Sequence, residues 1–335
     1  MKKVLSFCLA AFLFFICLPA AHAAHAAQAV TRDQYYARST LSGSELAFYD
    51  QVYDAFKSGG NQVSDQLNLS SSRARQIGNF VYNDAPELFN YRGIYTREET
   101  EELNEQLARK SQEILSRLNG TMSGYQKTKA IYDYLGQTIT YDSGAEAEVS
   151  QNAKSQRANE SQTIVGGLLR GRAVCNGISH SLQYILHQAG VPCYTVTGTL
   201  PGVNHAWNII RLNGQWYNAD LTNDLSYIRQ SQEPRFFLVD DATLTQNAYV
   251  ADQDLNPSLP ACAAKYIVQA SPAAAIATAA PTQTPSPSQT APAVQKAASA
   301  LTAVPLFIWA IAAVAAIAAI AIVLAVLRRN KKQQP

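Results

Sequence analysis

Residues 166–190 read GGLLRGRAVCNGISHSLQYILHQAG, and the interpretation of the chain turns on them. After Cys175, the apolar residues Ile178, Leu182, Ile185, Leu186 and Ala189 recur at helical spacing, and Gly190 is a natural stop. Cys175 is therefore expected at the N-terminus of an amphipathic helix, where unpaired backbone N–H groups and the helix dipole favour a thiolate. Gly166, Gly167 and Gly171, with Arg170 and Arg172 beside them, read as an approach that lets the backbone come close to a ligand. A lone cysteine is more often a small buried hydrophobe. The interpretation of Cys175 therefore depends on whether a partner exists.

The partner comes from residues 195–222, TVTGTLPGVNHAWNIIRLNGQWYNADLT. Ala206–Ile210 and Gln215–Asn218 read as two strands joined at Asn213-Gly214, a type I′ hairpin signal. With those two residues at the turn centre, paired positions sum to 427, so His205 faces Thr222 and Asp220 lies two residues along on the same side. Diagonal neighbours of this kind are about 7–8 Å apart, within reach of a carboxylate-to-imidazole hydrogen bond. The turn alone thus predicts that Asp220 can orient His205. A histidine in such a strand is ordinarily a satisfied core residue; here one hairpin supplies both the ring and the carboxylate.

A cysteine at a helix N-terminus with a His–Asp pair on an adjoining hairpin is the geometry of thiol acyl transfer, the histidine handling the thiol proton and the aspartate fixing its tautomer. In this Cys…His…Asp order the chain resembles the transglutaminase-like superfamily of papain-like thiol enzymes, in its bacterial surface-anchored form. The resemblance rests on GGLLRGRAVCNGIS around Cys175, HAWNII around His205 and WYNADLT around Asp220, and covers about residues 125 to 240. VYNDAPELFNYRG at 81–93 looks like the helical region that often precedes such domains. The resemblance implies Cys175 as nucleophile, His205 as base and Asp220 as orienter. Two departures stand out: Leu221-Thr222-Asn223 follows Asp220 where the family commonly has Thr-Trp, and Leu169, six residues before Cys175, cannot supply an oxyanion-hole donor. The Cys175 backbone N–H remains available for that role.

The expected function is attack on an amide or peptide carbonyl through a Cys175 thioester. With water as acceptor this is a protease or amidase, and with an amine a transglutaminase. The alternative is a catalytically inactive surface module that uses the same cleft to bind peptide or cell-wall material. No cofactor or metal is expected. His180 and His187 read as polar-face residues of one helix, and Glu98, Glu99, Glu101, Glu102 and Glu105 as a solvated helix start. Asp224 is a weaker orienter candidate than Asp220, Trp207 and Trp216 read as sheet packing and cleft walls, and Cys193 as a buried strand residue. A Cys193–Cys262 disulfide stays open.

The order of elements, helix first and then strands, indicates an α+β fold with the nucleophile helix on an antiparallel sheet. A helical region over 28–120 precedes a transglutaminase-like domain over 121–265. Within the former, Leu46, Tyr49, Val52, Tyr53 and Phe56 form one stripe, and Leu103, Leu107, Ile114 and Leu118 another; Thr96 and Glu99 suggest a capping box. A helix over 123–142 follows, with Ile131, Tyr134 and Leu135 on one face, and the polar stretch 143–161 reads as a surface loop.

The ends differ from the body. Residues 1–27 read as a signal peptide, with Lys2 and Lys3 before an apolar run and then small residues. Residues 266–303 form a spacer rich in Pro, Ala, Ser and Thr, and 304–327 read as a transmembrane helix: 24 residues make about 36 Å at 1.5 Å each, against a bilayer core of about 30 Å. The basic tail 328–335 is then cytoplasmic and the domain extracytoplasmic, at the cell membrane. Six of the 27 basic residues and none of the 25 acidic ones sit in 1–27 and 304–335, which leaves the stretch between them at net charge −4. That balance lacks the basic face a nucleic-acid binder needs. The expected partners are a protein or cell-wall peptide substrate and, through the C-terminal helix, the membrane.

Overall fold

The structure is a computed structural model that describes residues 28–59, 63, 67–89, 95–151, 155–201 and 203–268. Among the described residues there are ten α-helices: α1 (Tyr36–Ser39), α2 (Gly43–Lys57), α3 (Ser71–Asp84), α4 (Arg97–Leu115), α5 (Gly124–Thr138), α6 (Ser143–Ser150), α7 (Gln156–Ser161), α8 (Cys175–Gln188), α9 (Leu221–Arg229) and α10 (Asp241–Gln246). The strands are β1 (Thr140–Tyr141), β2 (Arg172–Ala173), β3 (Cys193–Leu200), β4 (Val203–Leu212), β5 (Gln215–Ala219) and β6 (Val250–Ala251). A four-stranded antiparallel sheet runs in the order β5-β4-β3-β6, while β1 and β2 form a separate parallel pair.

The Asn213-Gly214 turn sets the register. Both residues have positive φ, 52° and 82°, as a type I′ turn requires. The strands then pair from Leu212↔Gln215 to Asn208↔Ala219, the register the turn predicts. Strand alternation sorts the side chains between two cores. Cys193, Ile210, Leu212, Tyr217 and Ala219 pack with Ile178, Leu182, Ile185 and Leu186 of α8 and with Ile131 and Leu135 of α5. Tyr194, Val196, Trp207 and Ile209 join Tyr49, Val52, Ile77, Phe80 and Val81 from α2 and α3 in the second core. Burying each Val, Leu, Ile or Phe among them contributes roughly 1.5–3 kcal/mol.

The helices of 28–120 are therefore tied closely to the sheet. The buried Gln183 of α8 donates to the carbonyls of Asn83 (2.7 Å) and Asp84 (2.9 Å), and Tyr35 stacks on His187 at 5.2 Å. All described residues belong to one compact unit. The Thr96 capping box is present, with Glu99 N donating to Thr96 Oγ1 and Thr96 N to Glu99 Oε2.

Two expectations are corrected. The polar stretch 143–161 is not a loop, because it holds α6 and α7, which the side chains of Asp142 and Ser155 cap by accepting from Ala145 N and Ala158 N. Such caps stabilise short helices that have no long apolar stripe. The fold class also included a C-terminal transmembrane helix, but among the described residues no helix is long and apolar enough to cross a membrane. The longest of them, α4, has 19 residues and carries the acidic cluster Glu98 to Glu105, so it is amphipathic. The fold of the described residues is α+β without a span. Segment 304–327, the signal peptide 1–27, the spacer from 269 onward and the tail 328–335 lie outside the described residues.

Candidate active site

Cys175 is the first residue of α8 and is half-buried. Three backbone hydrogen bonds fix the chain that leads to it: Thr140 N to Gly171 O, Asp142 N to Ala173 O, and Val174 N to Ser161 O (2.9 Å). The glycines here serve packing. A Cβ on Gly166 would lie 2.4 Å from Glu160 O, and one on Gly177 would lie 2.3 Å from Ser161 O. The expected close approach of Gly166 and Gly167 is thus to the protein itself. The N–H groups of the first turn of α8 have no intrahelical acceptor.

His205, on β4, is buried, and its Nε2 lies 2.7 Å from Asp220 Oδ2. This leaves Nδ1 as the ring nitrogen free to serve Cys175, which lies close enough to His205 to favour its charged form. Burial opposes charging the imidazole, but the hydrogen bond to Asp220 and the nearby Cys175 outweigh it and raise the His205 pKa above its ordinary value. Asp220 is fully buried, which disfavours its ionised form. Hydrogen bonds from His205, Tyr249 and Asn223 reverse this and hold it below the usual carboxylate range. The structure therefore brings Cys175, His205 and Asp220 together.

One detail differs from the hairpin expectation. β5 ends at Ala219, so Thr222 lies in α9 and does not pair with His205. Asp220 sits at the junction and caps α9, its Oδ1 accepting from Asn223 N at 3.1 Å. Two further bonds fix α8 against β4: Ser179 Oγ donates to Ala206 O (3.0 Å), and Asn208 Nδ2 donates to Ser179 O (3.1 Å). These bonds, one turn from Cys175 and one and three residues from His205, set the spacing of the pair.

Other candidates separate from the site. Asp224 accepts from Tyr132 Oη (2.7 Å) and from the Arg235 and Phe236 amides, so it does not orient His205. His180 and His187 are not polar-face residues. Both are buried, and burial lowers each to about 4, keeping them neutral. His180 meets the Tyr82 ring edge-on at 4.8 Å, and His187 Nε2 lies 2.7 Å from Cys193 O. Cys193 and Cys262 are free thiols in different cores, which explains why no disulfide joins them. Trp207 packs in the second core with its Nε1 donating to Asn218 Oδ1 (3.3 Å), and Trp216 lies against Tyr36. Leu169 packs against the first core. Among the described residues, no group of three or more His, Cys, Asp or Glu could hold a metal.

Sequence reasoning missed three tyrosines. Tyr82 and Tyr141 lie within electrostatic reach of Cys175; burial first, and then the cysteine's charge, pushes Tyr82 up to about 12 and Tyr141 higher still. Tyr249 hydrogen-bonds Asp220 from 29 residues away. Tyr141 had a faint signal, since it sits just before the polar stretch, although it lies in β1 and not in the helix expected over 123–142. Nothing local pointed to Tyr249.

Residues 112–221 match the family model of the transglutaminase-like superfamily, a span that holds Cys175, His205 and Asp220. Two solved structures are similar to parts of the chain. One is a TGase, at 22% identity and a TM-score of 0.33, covering 42% of this chain and 38% of that one. The other is a candidate cysteine protease from Cytophaga hutchinsonii, at 18% identity and a TM-score of 0.28, covering 44% and 40%. The chain spans about two fifths of the length of each. No curated protein matches it.

Proposed function

Residues 112–221 are a transglutaminase-like domain, and from that premise we propose that the chain is a thiol enzyme acting on amide or peptide carbonyls. The observation that carries this reading is the group Asp220, His205 and Cys175, with the imidazole bonded to the carboxylate at 2.7 Å and the cysteine near enough to favour the charged ring. His205 Nδ1 takes the thiol proton, and the Cys175 Sγ attacks the carbonyl carbon. The C–S bond forms, the C–N bond breaks, and the imidazolium returns the proton to the leaving amine. N–H groups of the first turn of α8 face the developing oxyanion. Water or a second amine then attacks the thioester, giving a carboxylic acid or a new amide. Both outcomes share the acylation half, so the acceptor that reaches the thioester decides between them. A protein or cell-wall peptide is the proposed donor, and the lysine-led apolar N-terminus supports action outside the cytoplasm.

The test is alkylation of the full chain by iodoacetamide at pH 6 to 7, with the labelled cysteine assigned by mass, followed by assay on peptide amides. Cys175 is expected to react well ahead of the buried Cys193 and Cys262, to lose most of that rate in His205→Ala, and to be required for product formation. A labelling rate unaffected by His205→Ala would refute the reading.

A further inference from the structure

We propose that Tyr249 is a positioning residue of this site, its hydroxyl holding Asp220 in the orientation that keeps His205 turned toward Cys175; this rests on the thiol-enzyme reading above. Tyr249 lies outside the span matched by the family model, 29 residues beyond Asp220. Its Oη is 2.5 Å from Asp220 Oδ2, the same oxygen that accepts from His205 Nε2. Asn223 completes a closed set, since its Nδ2 lies 2.7 Å from both Asp220 Oδ2 and Tyr249 Oη. With one amide proton for each acceptor, Asn223 donates to the phenol and the phenol donates to the carboxylate. The ring adds a steric wall, edge-on to His205 at 5.8 Å and to Trp207 at 5.3 Å.

The backbone accounts for how Tyr249 gets there. It immediately precedes β6, which pairs Val250 and Ala251 with Thr199 and Gly198 of β3, and Gly198 is itself the partner of His205 on β4. A Cβ on Gly198 would lie 2.2 Å from Val250 O and 2.8 Å from the Trp207 ring. Glycine there lets β6 close onto the sheet and brings the phenol to the carboxylate. The other titratable groups near the pair are Cys175 from α8, Tyr132 from α5, Tyr141 from β1, Asp224 from α9 and Arg235 from the segment after α9.

The experiment measures Cys175 alkylation in the full chain from pH 5 to 9 for wild type, Tyr249→Phe, Asn223→Ala and His205→Ala, with thermal melts as a folding control. Losing a hydrogen bond to a charged group is expected to lower the Tyr249→Phe rate at pH 6 by about tenfold. The difference should close by pH 9, where solvent base deprotonates the thiol without the imidazole. A pH-independent loss, which a purely structural role would give, overturns the proposal, as does a wild-type profile. If Tyr249→Phe does not fold, Asn223→Ala decides, because it removes the donor that orients the phenol; a wild-type profile there overturns the proposal. If His205→Ala changes the profile and Tyr249→Phe does not, only the Tyr249 role falls. If neither changes it, the thiol-enzyme reading falls as well.

Discussion

Gly177→Ala sets two physical effects against each other. On helix propensity alone, alanine inside α8 should stabilise the chain by up to ~1 kcal/mol. The packing predicts the opposite. The new methyl would lie 2.3 Å from Ser161 O, and 2.9 Å from both Ala173 Cβ and Thr163 O. Ordinary contact begins near 3.4 Å, so α8 and the 161–163 backbone must part by roughly 1 Å. Ser161 O also accepts the Val174 amide at 2.9 Å, and an opening of that size breaks the bond. Overpacking at ~1–3 kcal/mol and the lost buried bond at ~1 kcal/mol outweigh the propensity gain. The expected result is a net loss of about 1–3 kcal/mol, or a Tm lower by roughly 3–9 °C for a chain of this size. Cys175 is two residues away, and displacing a reacting group by about 1 Å costs on the order of 100-fold in rate. Calorimetry reads the first quantity and Cys175 alkylation or peptide-amide turnover the second. An unchanged or raised Tm with wild-type alkylation would refute the argument that glycine is required by close approach.

Two further outcomes follow from buried polar groups. His180 and His187 titrate near 4 when folded and near 6.5 when unfolded, so the stability they contribute is complete above about 6.5 and is lost as pH falls toward 4. The loss is on the order of 3 kcal/mol per imidazole at the acid limit; urea midpoints should fall between pH 6.5 and 5, less steeply in His180→Gln, and a flat profile would contradict this. Asp84 is fully buried and accepts from Ala37 N (3.1 Å), Arg38 N (3.0 Å) and Tyr49 Oη (2.8 Å). Asp84→Ala strands three donors and is expected to cost about 3–5 kcal/mol in urea unfolding, with Asp84→Asn recovering part; a loss under about 1 kcal/mol would contradict it.

The site's sequence-legible part is the part set by short-range rules. Asn213-Gly214 specifies a turn, the turn specifies a register, and the register places Asp220 beside His205. The start of α8 at Cys175 follows from the apolar stripe behind it. What escaped depends on tertiary approach. Asp142 and Ser155 cap helices too short and polar to show a stripe, so 143–161 read as loop. His180 and His187 are polar residue types, yet the N-terminal helices cover the face of α8 on which His187 lies, and Tyr82 covers His180. Tyr249 reaches Asp220 only because Gly198 admits β6, a pairing of Thr199 with Val250 and Gly198 with Ala251 across more than 50 residues with no shared local pattern. The membrane span was read from composition on residues the structure does not describe, while the longest described helix is amphipathic.

The second core also imposes a timetable on synthesis. Asn83 and Asp84 wait for Gln183, about 100 residues later, and Asn83 waits for Tyr194, 111 residues later. At about 5–20 residues per second, the apolar stripes of α2 and α3 stay uncovered on the ribosome for roughly 5–20 s before the strands that cover them exist. Nascent chains of this length are accordingly expected to be clients of holding chaperones. The last contact to form within the site is the one from Tyr249, which follows both His205 and Asp220 in the chain. A ribosome that stalls short of that residue carries a thiol and an imidazole but leaves the carboxylate behind them without its clamp, so the reactive pair matures only as synthesis of the folded unit ends.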